Sequence, residues 1–194
     1  AAYVKGLAQS CESVPEETFT AEKKRQEALN AELLASKGDE NPFLLHKEMG
    51  DLMREKVGIV RSNEGLDAAL QELGEIKERS RNISLDDTGS WSNQPLAHAR
   101  QVQDMVVLAE VIAKGARMRD ECSGSHWKPE FVLSIPEGKF PGDPEFEEYR
   151  AKWKRNNEEW LKTTVAEHSA DGPTISYETV DTSVLPVEQP RDYR

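Results

Sequence analysis

The stretch from Pro95 to Glu121 constrains the fold of this chain most, because its apolar residues cover more than one side of a helix. One face carries Val102, Met105, Val106, Ala109, Ile112, Ala113 and Ala116, and a second carries Val107, Leu108 and Val111. A helix that is apolar on several sides is typical of a central element. At about 1.5 Å per residue it would be about 40 Å long. The pattern therefore predicts one long central helix.

Two shorter amphipathic segments precede this helix. The first begins at Asn41-Pro42 and the second at Ser62-Asn63, both good helix start signals. Their apolar positions recur at helical spacing and comprise Leu45, Met49, Leu52, Met53, Val57 and Val60, then Leu66, Ala69, Leu70, Leu73 and Ile76. Farther upstream, EETFTAEKKRQEALNAELLASKG reads as a peripheral helix stopped by Gly38, with KKR on a solvated face. The fold class expected is all-α, a three-helix (spectrin-repeat-like) bundle with an extra N-terminal helix.

The character of the chain changes after Ser123. FVLSIPEGKFPGDPE is punctuated by Pro and Gly, and Asp143-Pro144 starts a short helix near 144–163. One side of that helix carries Phe146, Tyr149, Trp153 and Trp160, which we interpret as a packing stripe. YETVDTSVLP could form at most one short strand. We expect a bundle domain over 13–122 and a long, mostly irregular C-terminal tail over 123–194 that either wraps a partner or is disordered. In the polar loop RNISLDDTGSWSNQP, Trp91 is expected to act as an anchor.

Composition excludes several classes of partner. The formal net charge is −11, whereas nucleic-acid binding requires a basic footprint. An anionic membrane surface is disfavoured for the same reason. No apolar run approaches the roughly 18 residues of a membrane span, so no direct membrane insertion is expected. The two cysteines, Cys11 and Cys122, lie far apart and are consistent with a reducing compartment.

Motifs that would carry chemistry are also missing. Neither H-x-x-x-H nor C-x-x-C occurs, which argues against a metal site. There is no G-x-G-x-x-G or P-loop to cradle a nucleotide cofactor, and no G-x-S-x-G elbow. Cys122 near His126 could suggest a thiol nucleophile, but a small, half-buried residue at a helix end is the favoured interpretation.

The string ECSGSHWKPE at 121–130 is the most specific feature of the chain. Gly124 can adopt the left-handed conformation that ends a helix, with Pro129 blocking its continuation. A helix cap does not explain His126, Trp127 and Lys128 in a row. They could belong to an active-site loop or to a docking surface. The residues alone favour a helical domain whose tail binds a partner.

Read in order, six strings resemble the C-terminal region of the succinate dehydrogenase/fumarate reductase flavoprotein subunit, in the form of the menaquinone-linked, Bacillus-like complexes. They are LHKEMGDLMREKVGIVR (45–61), ELGEIKERSRNISLDD (72–87), MVVLAEVIAKGARMRDECSGSHWKP (105–129), EEWLKTTV (158–165), SYETVDTSVLP (176–186) and the terminal RDYR. The order of the strings is that of the family, from about Ala1 to Arg194. Two features depart from it. Ser123 stands where the family string S-R-G-A-H-Y has arginine, and 132–152 looks like an insertion.

The resemblance implies an FAD-binding domain, a capping domain and a C-terminal helical domain in the parent subunit. Residues 1–12 would end the last helix of the FAD-binding domain, with the catalytic and flavin-attachment groups upstream. On that basis this chain would hold no catalytic, cofactor-binding or metal-ligating residue. The parent would interconvert succinate and fumarate with FAD and pass electrons to an iron–sulfur subunit and quinone. It would be cytoplasmic and peripheral to the inner face of the cell membrane.

Within such a subunit, the expected role of this chain is structural, docking the upstream FAD-binding and capping domains and the iron–sulfur subunit. The residues expected to dock are Gly124, His126, Trp127, Lys128 and Trp160. A free-standing helical adaptor is the alternative from another class. Another member of the flavoprotein superfamily, such as an aspartate oxidase, fits the tail strings less well.

Overall fold

The computed structural model describes residues 15–89, 91–169 and 172–184, and the predictions for residues 1–12 and for the terminal RDYR lie outside these ranges. The described part contains five α-helices, followed by two strands. The helices are α1 (Glu16–Ala35), α2 (Pro42–Lys56), α3 (Asn63–Arg79), α4 (Gln94–Arg117) and α5 (Pro144–Trp160). The strands are β1 (Lys162–Glu167) and β2 (Thr174–Thr179), and short 3-10 turns cover Ser80–Asn82 and Pro129–Phe131.

The starts of the three bundle helices follow from local chemistry. The Asn41 side chain accepts hydrogen bonds from the backbone N–H of Phe43 at 2.9 Å and of Leu44 at 3.4 Å. Ser62 caps α3 by accepting from Gly65 N–H at 3.0 Å. Asn93 caps α4 in the same way. Each side chain satisfies backbone donors that a helix start leaves without partners, so the predicted starts at Asn41-Pro42 and Ser62-Asn63 are confirmed.

Helices α2, α3 and α4 pack around one hydrophobic core, which confirms the predicted all-α bundle. The buried apolar residues of these helices follow one stripe on each and comprise Leu45, Met49, Leu52, Leu66, Ala69, Leu73, Ile76, Ala99, Val102, Val106, Ala109, Ala113 and Ala116. The extra N-terminal helix α1 adds only Leu33 to this core. It is tied to α4 by Arg100, which donates to Asn30 at 2.7 Å.

The second apolar face of α4 is exposed at Leu108, and Ile112 of the first face is exposed as well, which corrects the expectation that this helix is covered on several sides. Leu108 is 60% exposed and Ile112 is 55% exposed. Both partner helices lie on the stripe that runs from Ala99 to Ala116, and the described part of the chain does not cover Leu108 or Ile112. Burial of Ile112 was therefore a wrong prediction. Trp91, expected to act as an anchor in its loop, is 91% exposed, so that expectation is also wrong.

Gly38 has a different role from the one predicted. Helix α1 ends at Ala35, before Gly38 is reached. The segment after the helix lies against the 3-10 turn instead, where Glu40 N–H donates to Asn82 O at 3.2 Å. A Cβ atom at Gly38 would come within 1.8 Å of that same Asn82 oxygen. Glycine is required here because two backbones meet closely.

The tail forms a β-hairpin, where at most one strand was expected. Strands β1 and β2 pair antiparallel, with Lys162 opposite Thr179 and Glu167 opposite Thr174. β-Branched and aromatic residues make up at least half of each strand, which suits a half-buried sheet. Gly172, at φ +106°, lies in the connection. The predicted helix near 144–163 is present as α5 and ends at Trp160, since the hairpin begins immediately afterwards.

Across 15–89, 91–169 and 172–184, none of the helices is both long and apolar enough to cross a membrane.

Candidate docking site at the end of helix α4

The segment that follows α4 is held in a compact turn. Helix α4 ends at Arg117, four residues earlier than predicted, and we call residues 119–128 the capping loop. Ser123 and His126 exchange two backbone hydrogen bonds, each of 3.0 Å. Gly124 lies at the first central position of this turn with φ +58°. It therefore takes the left-handed conformation that was predicted, but in the turn beyond the helix.

The capping loop is joined by its backbone to the connection between α2 and α3. Trp127 N–H donates to Ile59 O at 3.1 Å, and Arg61 N–H donates to Trp127 O at 2.9 Å. These two bonds form a parallel bridge between Val60 and Trp127. Because Ser62 starts α3 directly afterwards, the loop is fixed to the ends of three helices at once.

The imidazole of His126 is wedged between two elements. Its Nε2 lies 2.9 Å from the carbonyl oxygen of Arg119, and its Nδ1 lies 3.2 Å from Nη1 of Arg61. A carbonyl only accepts and a guanidinium only donates, so Nε2 carries the proton and Nδ1 accepts. Burial, with a further contribution from the positive charge of Arg61, lowers the pKa of His126. The ring is therefore neutral near pH 7.

Lys128, predicted to contact a partner, has a fully buried side chain within this chain. Its Nζ donates to the carbonyl oxygen of Arg117 at 3.2 Å and to Asp120 Oδ1 at 3.1 Å. A cation at this position donates to a carbonyl that the helix end leaves without a partner, and the negative end of the helix dipole stabilises its charge. Burial lowers the pKa of Lys128, and the hydrogen bond that Lys128 donates to Asp120 opposes this shift. Its side chain holds the helix end and offers no surface to another molecule.

Trp160 meets the capping loop through Arg119, although the two are far apart in sequence. Arg119 Nη2 donates to Trp160 O at 2.5 Å and its guanidinium carbon lies 5.6 Å from the indole ring. Nη1 of Arg119 donates to Lys162 O at 2.8 Å, at the start of the hairpin. On the other side, Tyr177 packs edge-on against Trp160, and its hydroxyl donates to Met118 O at 2.9 Å. These contacts join α4, α5 and the hairpin.

Arg119, Glu121 and Tyr177 were missed by sequence reasoning. Glu121 is buried and forms an ion pair with Arg119, whose Nε donates to Glu121 Oε1 at 2.6 Å. The Ser123 hydroxyl donates to the other oxygen of Glu121 at 3.1 Å. Arg119 thus supplies the cation beside Glu121, and Ser123 supplies a hydroxyl donor. No local signal could have identified Tyr177, since its partner Met118 lies 59 positions away.

Apolar side chains stand exposed beside this network. Ile59 is 66% exposed, Val60 64% and Trp127 37%. We call these three residues the docking face, because backbone bonds hold them next to one another. An open cavity of about 480 Å³ adjoins Val60 and is lined by Glu55, Lys56, Val60, Arg61, Ser62, Gly65, Pro129 and Glu130. Adjacent exposed apolar residues with a polar rim are typical of interaction surfaces.

The reactive side chains near the loop do not form a catalytic group. Cys122 is half-buried, and burial raises the pKa of its thiol, whereas a nucleophilic cysteine needs a lowered pKa. In the ranges that the structure describes, no three His, Cys, Asp or Glu side chains are placed to hold a metal ion. His46 is partly buried, as predicted for a helix residue, and lies 5.2 Å from His98 between ring centroids.

Comparison with known proteins assigns the family. The family model described as fumarate reductase flavoprotein C-term matches residues 46–193. The chain belongs to this family. The succinate dehydrogenase flavoprotein subunit of Bacillus subtilis is 36% identical over 193 residues, covering 98% of this chain and 29% of the relative. The fumarate reductase flavoprotein subunit of Helicobacter pylori is 32% identical over 165 residues, covering 84% of this chain and 20% of the relative.

Solved structures agree with the family assignment. A structure of the Escherichia coli quinol fumarate reductase matches with a TM-score of 0.73 and 26% identity, covering 93% of this chain and 28% of that chain. The resemblance to the flavoprotein C-terminal region, inferred from six strings, is thereby confirmed. The chain spans about three tenths of the length of the Bacillus subtilis relative.

Proposed function

We propose that this chain is the docking domain of a flavoprotein that interconverts succinate and fumarate. The observation that carries the proposal is the family match over residues 46–193, together with relatives named as succinate dehydrogenase and fumarate reductase flavoprotein subunits. The parent subunit would use FAD and pass electrons to an iron–sulfur subunit and then to quinone. It would be cytoplasmic and peripheral to the inner face of the cell membrane.

The geometry around the capping loop supports a docking role. Trp127 presents part of its indole beside Ile59 and Val60, while its backbone is bonded on both sides. A partly buried tryptophan on a rigid support is the kind of residue that dominates binding energy at interfaces. Gly124 allows the turn to form. His126 and Lys128 hold the capping loop through their contacts with the α2–α3 connection and the end of α4. Trp160 holds the hairpin to the same end of α4.

FAD does not fit the open cavity beside the docking face. A flavin dinucleotide needs backbone N–H donors for its negatively charged diphosphate, commonly at a helix start. The Asn63 N–H at the start of α3 already donates to Glu130 Oε1 at 3.3 Å. Glu55 and Glu130 also line this cavity. Of its two cations, Lys56 is paired with Glu72 and Arg61 is bonded to Gly58 O and His126 Nδ1, so neither is free to bind a diphosphate beside these carboxylates. We therefore assign FAD to the upstream domain of the parent.

The partners proposed are the upstream FAD-binding and capping domains and the iron–sulfur subunit. Titration calorimetry of the 194-residue chain against each of these partners, prepared from the same complex, tests the proposal. We expect the chain with Trp127→Ser to bind about 30-fold more weakly, the factor that corresponds to about 2 kcal/mol for an interface hot spot.

Trp91→Ser is the matched control, because Trp91 is the more exposed tryptophan and lies on the loop before α4. Its affinity should equal that of the unsubstituted chain. Equal affinities for all three chains would show that Trp127 does not contribute to the interface. If the unsubstituted chain binds none of the partners, the docking role fails and the free-standing adaptor becomes the better explanation.

A further inference from the structure

The side chain of His126 contacts a segment that is far from it in sequence. Its ring lies between the carbonyl of Arg119, in its own loop, and the guanidinium of Arg61, 65 positions upstream. Arg61 also donates from Nε to Gly58 O at 2.8 Å, so the guanidinium is anchored on the α2–α3 connection. The imidazole is thus one of the side-chain links between that connection and the capping loop.

The arrangement accepts only the neutral ring. If Nδ1 took up a proton, two donors would face each other across 3.2 Å, with no acceptor between them. Two positive charges would also be brought together in a partly buried site. The charged groups around the ring are Arg61 on the α2–α3 connection and, on its own loop, Lys128 and Glu121. Of these charged groups Glu121 alone favours the imidazolium, and its effect is the smallest because it is already paired with Arg119.

We propose that His126 is an acid-sensitive latch, in which proton uptake at Nδ1 breaks the Arg61 contact and releases the α2–α3 connection from the capping loop. The proton comes from solvent and converts the imidazole to an imidazolium. The bonds lost next are the backbone pair between Ile59, Arg61 and Trp127. The latch does not depend on the docking role, although it would alter the same surface.

The direction of the effect follows from proton linkage. The pKa of His126 is lowered in the closed form, chiefly by burial, so the opened form binds the proton more tightly. The stabilisation is therefore complete above the ordinary histidine pKa of about 6.5. It is lost as the pH falls toward the lower pKa of the closed form. Over that interval, opening becomes up to about tenfold more favourable per pH unit.

Amide hydrogen exchange of the full 194-residue chain, measured by NMR from about pH 7.5 to about pH 5, tests the latch. We expect the protection factors of the Arg61 and Trp127 amides to fall by up to about tenfold for each pH unit below about 6.5. The Val106 amide, in the middle of α4, should keep its protection. Unchanged protection at Arg61 and Trp127, or an equal loss at Val106, would overturn the proposal.

A pair of histidine substitutions separates the latch from other acid effects. His126→Gln, which has a neutral side chain at every pH, should abolish the pH dependence at Arg61 and Trp127. His168→Gln, at an exposed histidine beside β1, should retain it. Loss of the pH dependence in both chains, or in neither, would contradict the proposal.

A measurement on the unsubstituted chain does not depend on whether the variants fold. Imidazole ¹⁵N shifts should identify the Nε2–H tautomer of His126 at neutral pH. Protonation of Nδ1 should then occur together with the loss of protection at Arg61. Finding the Nδ1–H tautomer, or protonation without that loss, would reject the latch.

Discussion

Replacing Leu73 and Leu108 by alanine, one at a time, tests where the core of the bundle lies. Leu73 on α3 is 1% exposed and belongs to the hydrophobic core, whereas Leu108 on α4 is 60% exposed. Both are leucines in the interior of long helices, so the small change in helix propensity is the same for the two substitutions. The difference between the two variants therefore reports burial.

The magnitudes follow from the carbon atoms that each substitution removes. Truncating a fully buried leucine to alanine costs about 2.4 kcal/mol in transfer free energy, at about 0.8 kcal/mol per methylene. The cavity left behind raises this to about 3–4 kcal/mol, within the range of about 2–5 kcal/mol known for such changes. At Leu108 most of the side chain is already in water, so we expect about 1 kcal/mol or less.

Urea unfolding of the 194-residue chain, followed by helical circular dichroism, measures the difference. With a slope of about 2 kcal/mol per molar urea, Leu73→Ala should lower the midpoint by about 1.5–2 M and Leu108→Ala by about 0.5 M or less. Equal shifts would mean that the outer face of α4 is covered as well as the inner one. A small shift for Leu73→Ala alone would refute the placement of the core.

Two further pairs of substitutions test other features of the fold by the same urea titration. Val106→Asp should unfold the bundle, since an unpaired charge in the core costs several kcal/mol, whereas Ile112→Asp should cost about 1 kcal/mol or less. A large loss of stability for Ile112→Asp would show that the side of α4 that carries Ile112 is buried after all. Gly38→Ala should destabilise by about 2 kcal/mol or more, because its Cβ meets Asn82 O, whereas Gly50→Ala, in open space within α2, should stabilise by about 0.5–1 kcal/mol. The same sign for both glycines would contradict the close backbone approach.

The parts of the site that could be predicted are those with local causes. Gly124 was expected in the left-handed conformation because small residues and Pro129 follow a long apolar helix, and it has that conformation. Lys128 was expected to contact a partner, together with His126 and Trp127. The structure buries it because the last carbonyls of α4 and Asp120 provide partners, and that pairing exists only once the loop has folded back.

The hairpin and the Arg119 contacts could not have been predicted in the same way. Thr163, Thr164 and Val165 favour a strand, but a strand needs a partner, and the pairing with 174–179 is decided at a distance. Arg119 is one of many arginines on a charged chain. Arg119 acquires its role only because α5 places the carbonyl and the indole of Trp160 next to the end of α4.

The amino-acid sequence by itself determined the helices of the bundle, their starting residues and the family, because caps, periodicity and short strings act over a few neighbouring residues. Only the tertiary structure decided which apolar face of α4 is covered, which cation is buried and how His126 and Arg61 meet. Burial and pairing depend on atoms contributed by distant segments. A one-dimensional pattern shows that a side chain is apolar or charged, but not what lies opposite it.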